Sequence, residues 1–272
     1  MSPDERARAL ETILGFARAA ADIVSGIYAQ DFAVEYKGKD DPVTRADKEA
    51  NDLLTREIAR AYPGIPVVAE ESDPASFAGF QASPMAWFVD PLDGTREFVA
   101  KNGEFAVMIG LAEEGRATLG VLVMPALGRI FLGAEGVGAF EVDAAGIRRP
   151  ILVSSTKELR EATVVVSRSH RHPDATPERL GVRTLLPVGS AGVKAAMVAC
   201  GEADIYLQPG MAGKLWDSCG PEAIVRAAGG HVSDTLGRPL AYRGTELANA
   251  NGFLVSNGAL HDTVLRRFAA GP

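Results

Sequence analysis

Cysteine is scarce in this chain: only Cys200 and Cys219 occur among 272 residues. Both sit in apolar or helical-looking segments, which argues against a disulfide framework and fits two buried thiols in a reducing compartment. Basic charge is also in short supply. Lys and Arg number 28 against 35 Asp and Glu, giving a formal net charge of −7 and a pI near 5.2. No basic stripe is visible, so broad binding to nucleic acid or an anionic membrane is excluded, and an anionic substrate would need local cations. Long hydrophobic runs are missing too. The longest, Phe105 to Ala112, is far short of the roughly 20 residues of a membrane span. The opening residues, with Asp4, Glu5, Arg6 and Arg8 in a helix-like pattern, lack the basic start, apolar centre and cleavage site of a signal peptide. A soluble, cytoplasmic protein without integral membrane association is expected.

What is present is ample for a core, as one large domain or two modest ones. Ile13, Phe16, Ala20 and Ile23 form a helical stripe within Asp4 to Tyr28. After the polar segment Lys37 to Pro42, a second helix is predicted from near Thr44 to Tyr62, with Ala46, Ala50, Leu53, Leu54 and Ile58 inward. Pro66 to Ala69 and Ala86 to Val89 read as strands that deliver acidic residues to a common edge. From Glu104 to Val153, short β-rich runs punctuated by glycines such as Gly115, Gly120, Gly128 and Gly133 predict an antiparallel meander. Strand and helix then alternate: Thr163 to Ser167, a helix near Ala191 to Cys200, Ala203 to Leu207, and a helix near Ser218 to Ala228. A soft boundary near Pro150 divides an N-terminal α+β domain, 1–150, from a C-terminal α/β domain, 151–272.

The segment Trp87-Phe88-Val89-Asp90-Pro91-Leu92-Asp93-Gly94-Thr95 is an apolar strand that breaks at proline and turns at glycine. Two carboxylates three residues apart at a strand end can point into one cleft, while amides after the turn stay free. Hard divalent cations such as Mg²⁺ take carboxylate and carbonyl oxygens, and amides at a helix start bind phosphate oxygens. The bland alternative is an Asp-Gly turn that merely reverses the chain. Its company argues otherwise: Glu70 and Glu71 end a strand, Asp47 begins a helix after Thr44, and Asp217 follows Trp216 at another helix start.

In this order, Pro42-Val43-Thr44-Arg45-Ala46-Asp47, Ala69-Glu70-Glu71-Ser72, Asp90-Pro91-Leu92-Asp93-Gly94-Thr95 and Trp216-Asp217 resemble the signature of the inositol monophosphatase superfamily. Lys101-Asn102-Gly103-Glu104-Phe105, Val166-Ser167-Arg168-Ser169-His170 and Gly189-Ser190 with Lys194 resemble its 3′(2′),5′-bisphosphate nucleotidase (CysQ-like) branch. The resemblance implies a layered αβαβα sandwich, α+β in class, of the sugar phosphatase and inositol monophosphatase type. It further implies that Glu70, Asp90, Asp93, Asp217 and the carbonyl of Leu92 hold two Mg²⁺ ions, with Asp47 near a third and Mn²⁺ able to substitute. Thr95, hydrogen-bonded to Asp47, and Glu70 would orient and deprotonate the attacking water. The substrate would meet Asp93, Gly94, Thr95, Gly189, Ser190 and Lys194, the last a cation for a second phosphate. Lithium inhibition is implied as well.

One departure is Trp216-Asp217-Ser218-Cys219-Gly220-Pro221, where the family usually has Trp-Asp-x-Ala-Ala-Gly; a proline in the first helical turn is tolerated. Lys194 has the alternative of a solvated helix lysine, and Lys37 and Lys39 that of surface lysines rather than cover for the metals. Arg168 and His170 are weaker substrate contacts, and His170 with His172 fits a loop better than a metal pair. The expected activity is Mg²⁺-dependent hydrolysis of a small phosphorylated molecule, adenosine 3′,5′-bisphosphate giving AMP and phosphate. An inositol monophosphatase or broad sugar phosphatase is the near rival, and a non-catalytic Mg²⁺ or phosphate sensor the rival of another class. Haloacid dehalogenase chemistry is excluded because Pro91 follows Asp90 and the second acid falls one place too late. Monomer and homodimer both remain open.

Overall fold

The longest apolar run is an interior strand with no face left for water. In the computed structural model, which describes residues 1–38, 41–143, 145–169 and 180–269, the strand Ala106–Glu113 serves two cores. Val107, Ile109 and Leu111 face one, and Ala106 and Met108 face the other, as the two-residue period of a strand requires.

The first half contains α1 (Pro3–Tyr28), β1 (Val34–Gly38), β2 (Asp41–Thr44), α2 (Arg45–Ala61), β3 (Val67–Ala69), β4 (Met85–Asp93) and α3 (Thr95–Val99). The meander follows as β5 (Ala106–Glu113), β6 (Arg116–Met124), β7 (Arg129–Ala134), β8 (Gly138–Val142) and β9 (Arg148–Pro150). Beyond it come β10 (Thr163–Ser167), β11 (Thr184–Val188), α4 (Ala191–Ala199), β12 (Ile205–Gln208), α5 (Leu215–Ala227), β13 (His231–Ser233), β14 (Phe253–Ser256) and α6 (His261–Ala269).

Five layers result. α1 and α2 cover one face of a seven-stranded sheet of order β3-β4-β5-β6-β7-β8-β9, antiparallel except for the parallel pair β3 and β4. α4 and α5 fill the space between this sheet and a five-stranded one of order β11-β10-β12-β14-β13, so Met108 and Leu122 share a core with Val193, Ile224 and Val255. α6 covers the far face of the second sheet, with Val264 against a cluster that includes Val166, Ile205 and Leu254. The architecture is the αβαβα sandwich of an α+β protein. Each fully buried Leu, Ile or Val side chain contributes about 1.5–3 kcal/mol over its exposed state, so burial of one face, more than propensity, holds α1.

Several local expectations change. The inward stripe of α1 centres on Ile13, Ala17, Ala20 and Val24, with Phe16 and Ile23 only partly buried, because small residues let the helix lie close to the sheet. In α2, Leu53 is likewise only partly buried, while Asp47 and Asn51 are buried. The polar segment around Lys37 belongs to the hairpin β1–β2, in which Val34 pairs with Thr44. The second sheet is mixed, since β13 and β14 run antiparallel to their neighbours. β9 ends at Pro150, and α5, from beyond it, packs across β4 to β7.

Gly120 and Gly133, expected as turn punctuation, are mid-strand and in register with Gly110. This row of glycines forms a groove for α5. An added Cβ at Gly110 would lie 2.7 Å from the carbonyl carbon of Cys219, at Gly120 2.8 Å from that of Gly220, and at Gly133 2.6 Å from Cα of Ile224. α5 starts three residues earlier than predicted, at Leu215, so Pro221 stands inside the helix rather than in its first turn.

Candidate active site

The parallel ladder of β3 and β4 brings two acids to one edge. Ala69 pairs with Val89, and the N–H of Glu70 donates to the carbonyl of Val89 at 3.1 Å, so Glu70 and Asp90 leave the sheet side by side. Asp90 and Asp93 would face opposite sides of a regular strand, because side chains alternate. A bulge prevents that. Asp90 pairs with Met108 but Asp93 with Ala106, three steps against two, and the extra residue turns both carboxylates the same way. Gly94 then reverses the chain at φ 91°, and a Cβ there would lie 2.9 Å from the carbonyl oxygen of Glu104.

The start of α2 supplies the next acid. Thr44 caps the helix, and Asp47 accepts from its N–H and its hydroxyl, both at 2.7 Å, through Oδ2. The other oxygen, Oδ1, lies 3.0 Å from Thr95 Oγ1, which is also 3.1 Å from the carbonyl oxygen of Leu92. A hydroxyl has one proton, so Thr95 donates to one of them at a time. One helical turn on, Asn51 donates to Ser72 at 3.2 Å, steadying the turn that carries Glu70.

The start of α5 brings in Asp217, whose carboxylate accepts from the N–H of Lys214. Ligand oxygens of Asp90, Asp93 and Asp217 all lie within 4.8 Å of one another. Burial, followed by the charges of Glu70, Asp93 and Asp217, holds the Asp90 carboxyl well above its ordinary range. Burial likewise raises Glu70, with Lys37 opposing and Glu71 and Asp47 adding to it, and raises Asp217, with the charges of Glu70 and Asp93 adding to it. Lys37 lies 3.3 Å from Glu70 and is paired with Glu71. Crowded, buried carboxylates with oxygen-only donors fit a hard divalent cation, whose charge would relieve their repulsion.

Glu70, Asp93, Thr95 and Asp217 line a cavity of about 710 Å³. The turn before α4 reaches it from the second sheet: Ser190 donates to Asp93, as does the N–H of Gly192 at 2.7 Å. Lys194 is 2% exposed, not solvated, and its ammonium donates to the carbonyls of Val188 and Ser190 over the ring of Tyr206. Burial lowers its pKa to about 8. Arg168 is taken up by Glu104, at 2.6 Å. Lys39, His170 and His172 lie outside the described residues.

Sequence reasoning passed over several contributors. Glu104 accepts from the N–H of Gly189 at 2.6 Å, and Glu97 packs where a Cβ of Gly189 would fall; together they brace the Gly189-Ser190 turn. Met211 and Lys214 line the cavity as well. Glu104 stood inside a segment already singled out, but nothing in its spacing or in that of Glu97 tells a brace from a surface acid.

The profile of the inositol monophosphatase family matches residues 5–270. The chain is 38% identical over 251 residues to the 3′(2′),5′-bisphosphate nucleotidase CysQ of Salmonella typhimurium, covering 91% of this chain and 99% of that one. It is 32% identical to inositol monophosphatase 3 of Solanum lycopersicum, over 90% of this chain and 92% of the other. Among solved structures, the extragenic suppressor protein suhB of Bartonella henselae superposes with a TM-score of 0.83 at 25% identity, covering 97% of this chain and all of its own.

Proposed function

The chain belongs to the inositol monophosphatase family, and from that premise we propose that it is a 3′(2′),5′-bisphosphate nucleotidase, hydrolysing adenosine 3′,5′-bisphosphate to AMP and phosphate. The observation that carries this reading is the convergence of Asp90, Asp93 and Asp217, with Thr95 bonded to Asp47, at a cavity lined by Asp93, Thr95 and Asp217. The higher identity to a bisphosphate nucleotidase than to an inositol monophosphatase supports the nucleotide.

Glu70, Asp90, Asp93, Asp217 and the Leu92 carbonyl would hold two Mg²⁺ ions, with Asp47 near a third, and bound there the ions would supply Lewis-acid stabilisation to the phosphoryl and leaving oxygens. Mn²⁺ offers the same hard-oxygen chemistry. Thr95 donates its proton to Asp47, which leaves a hydroxyl lone pair to accept from the attacking water and orient it. Glu70, beside the ions, would take the proton of that water. The N–H groups of Gly94 and Thr95, at the open end of α3, would meet the phosphate oxygens. Ser190 fixes the rotamer of Asp93 through its hydrogen bond, while Lys194 holds the turn that carries Ser190.

Phosphate release from adenosine 3′,5′-bisphosphate, inositol 1-phosphate and fructose 1,6-bisphosphate tests the proposal, with Asp90→Asn beside the wild type. The nucleotide should be turned over best, and Asp90→Asn should lose nearly all activity. A nucleotide no better than inositol 1-phosphate would replace this reading with an inositol monophosphatase. Equal rates in both proteins would leave only a binder.

A further inference from the structure

A substrate with two phosphates needs a cation beside the one that is not cleaved. Among the described residues lining the cavity, three carry such a charge: Arg96, Lys194 and Lys214. Lys194 is poorly placed for it. Its ammonium is buried and bound to two backbone carbonyls, Val188 at 3.3 Å and Ser190, and turning toward a ligand would give up both of these charge-assisted hydrogen bonds. Arg96 is partly buried and already engaged.

Lys214 differs on each count. It is exposed, and among the described residues no carboxylate forms an ion pair with its ammonium, which stands 5.0 Å from the Trp216 ring centroid on the cavity wall. That aromatic face attracts the cation and limits its wandering. Its backbone is held firmly. The N–H of Lys214 donates to Asp217, and Asn249 donates to the carbonyls of Ala212 at 3.2 Å and Lys214 at 2.8 Å. The side chain therefore projects from the same braced turn that carries one of the clustered acids. Met211 on this turn also lines the cavity while 76% exposed, an adaptable thioether surface of the sort that a planar base packs against.

We propose that Lys214 is a specificity-determining residue of this site, contacting the phosphate that is not hydrolysed, with Met211 as the apolar edge for the base. The assignment rests on the bisphosphate nucleotidase reading above. A monophosphate whose leaving group carries no second anion makes no use of the contact.

The test is the ratio of kcat/KM for adenosine 3′,5′-bisphosphate to that for adenosine 3′-monophosphate, measured in wild type, Lys214→Gln and Lys214→Arg with Mg²⁺ present. A charge-assisted hydrogen bond lost from one substrate should lower this ratio by about tenfold or more in Lys214→Gln, and Lys214→Arg should restore most of it. Taking a ratio removes any general loss through Asp217, which affects both substrates alike. A wild-type preference for the bisphosphate that survives in Lys214→Gln overturns this assignment and leaves the nucleotidase reading standing. No wild-type preference for the bisphosphate overturns both.

Discussion

Gly120 of β6 and Gly220 of α5 meet backbone to backbone, so closely that a Cβ on Gly120 would lie 2.8 Å from the carbonyl carbon of Gly220. The contact sets how far α5 stands from the sheet, and thereby how far Asp217 stands from Asp90 and Asp93. Gly120→Ala should therefore destabilise the fold by about 1–3 kcal/mol, as overpacking does, and should weaken Mg²⁺ binding as well. Thermal melts with Mg²⁺ titrations check both; a variant with wild-type melting and metal affinity would mean that the helix has room to spare.

Thr95 and Asp47 make a different kind of pair, joined at 3.0 Å across two elements. Thr95→Ala should lower kcat by about 10²–10⁴, the usual contribution of a positioned proton-transfer partner, with a loss of only about 1 kcal/mol in stability. Thr95→Ser keeps the hydroxyl and should keep much of the rate. Single-turnover kinetics beside melting curves separate the two effects, and equal kcat for the Ala and Ser variants would remove the hydroxyl from the mechanism.

The crowded acids make stability depend on pH in the direction opposite to ordinary ion-paired carboxylates. Burial, then neighbouring negative charge, raises Glu70 to about 7 and Asp217 to about 8, whereas the unfolded values lie near ~4. Between those limits the folded chain binds more protons than the unfolded one, so the metal-free protein should lose stability as pH rises through the window. A bound divalent cation replaces those protons. Addition of Mg²⁺ should accordingly raise Tm more at pH 8 than at pH 6; melts in chelator and in Mg²⁺ at the two pH values would refute this by giving equal shifts.

Asn249 is buried and its side-chain amide holds the carbonyls of Ala212 and Lys214. Asn249→Ala should cost about 1–3 kcal/mol by removing both bonds and leaving the Ala212 carbonyl without its donor, while the Lys214 carbonyl keeps the N–H of Asp217, and amide hydrogen exchange should quicken through residues 211–215. Unchanged exchange there would show that the turn is held by other contacts.

Much of the site was legible because its chemistry is local. The Asp90 to Thr95 segment, the Thr44-capped helix bearing Asp47 and the acids after β3 each announce themselves by residue type and short-range spacing. The meander was legible for a similar reason, since turn glycines and alternating apolar residues act within a few positions. The burial of Lys194 was not: read from sequence as a cation for a second phosphate or else as a solvated helix lysine, it is enclosed by packing that no local pattern shows. Gly120 and Gly133 misled for a related reason. A glycine chosen for its missing side chain looks the same in sequence as one chosen for its backbone freedom, and only the helix lying in the groove tells them apart.

The sequence by itself determined which chemistry was possible: oxygen donors for a hard cation, a hydroxyl beside a carboxylate, helices and strands of the right lengths to carry them. Tertiary structure alone decided the geometry, by the bulge that turns Asp90 and Asp93 to one side, the glycine groove that seats α5, and the packing that buries Lys194 while leaving Lys214 exposed. The physical reason is range. Propensity and turn chemistry act over a few residues, whereas distances between carboxylates on separate elements depend on packing summed over the whole core.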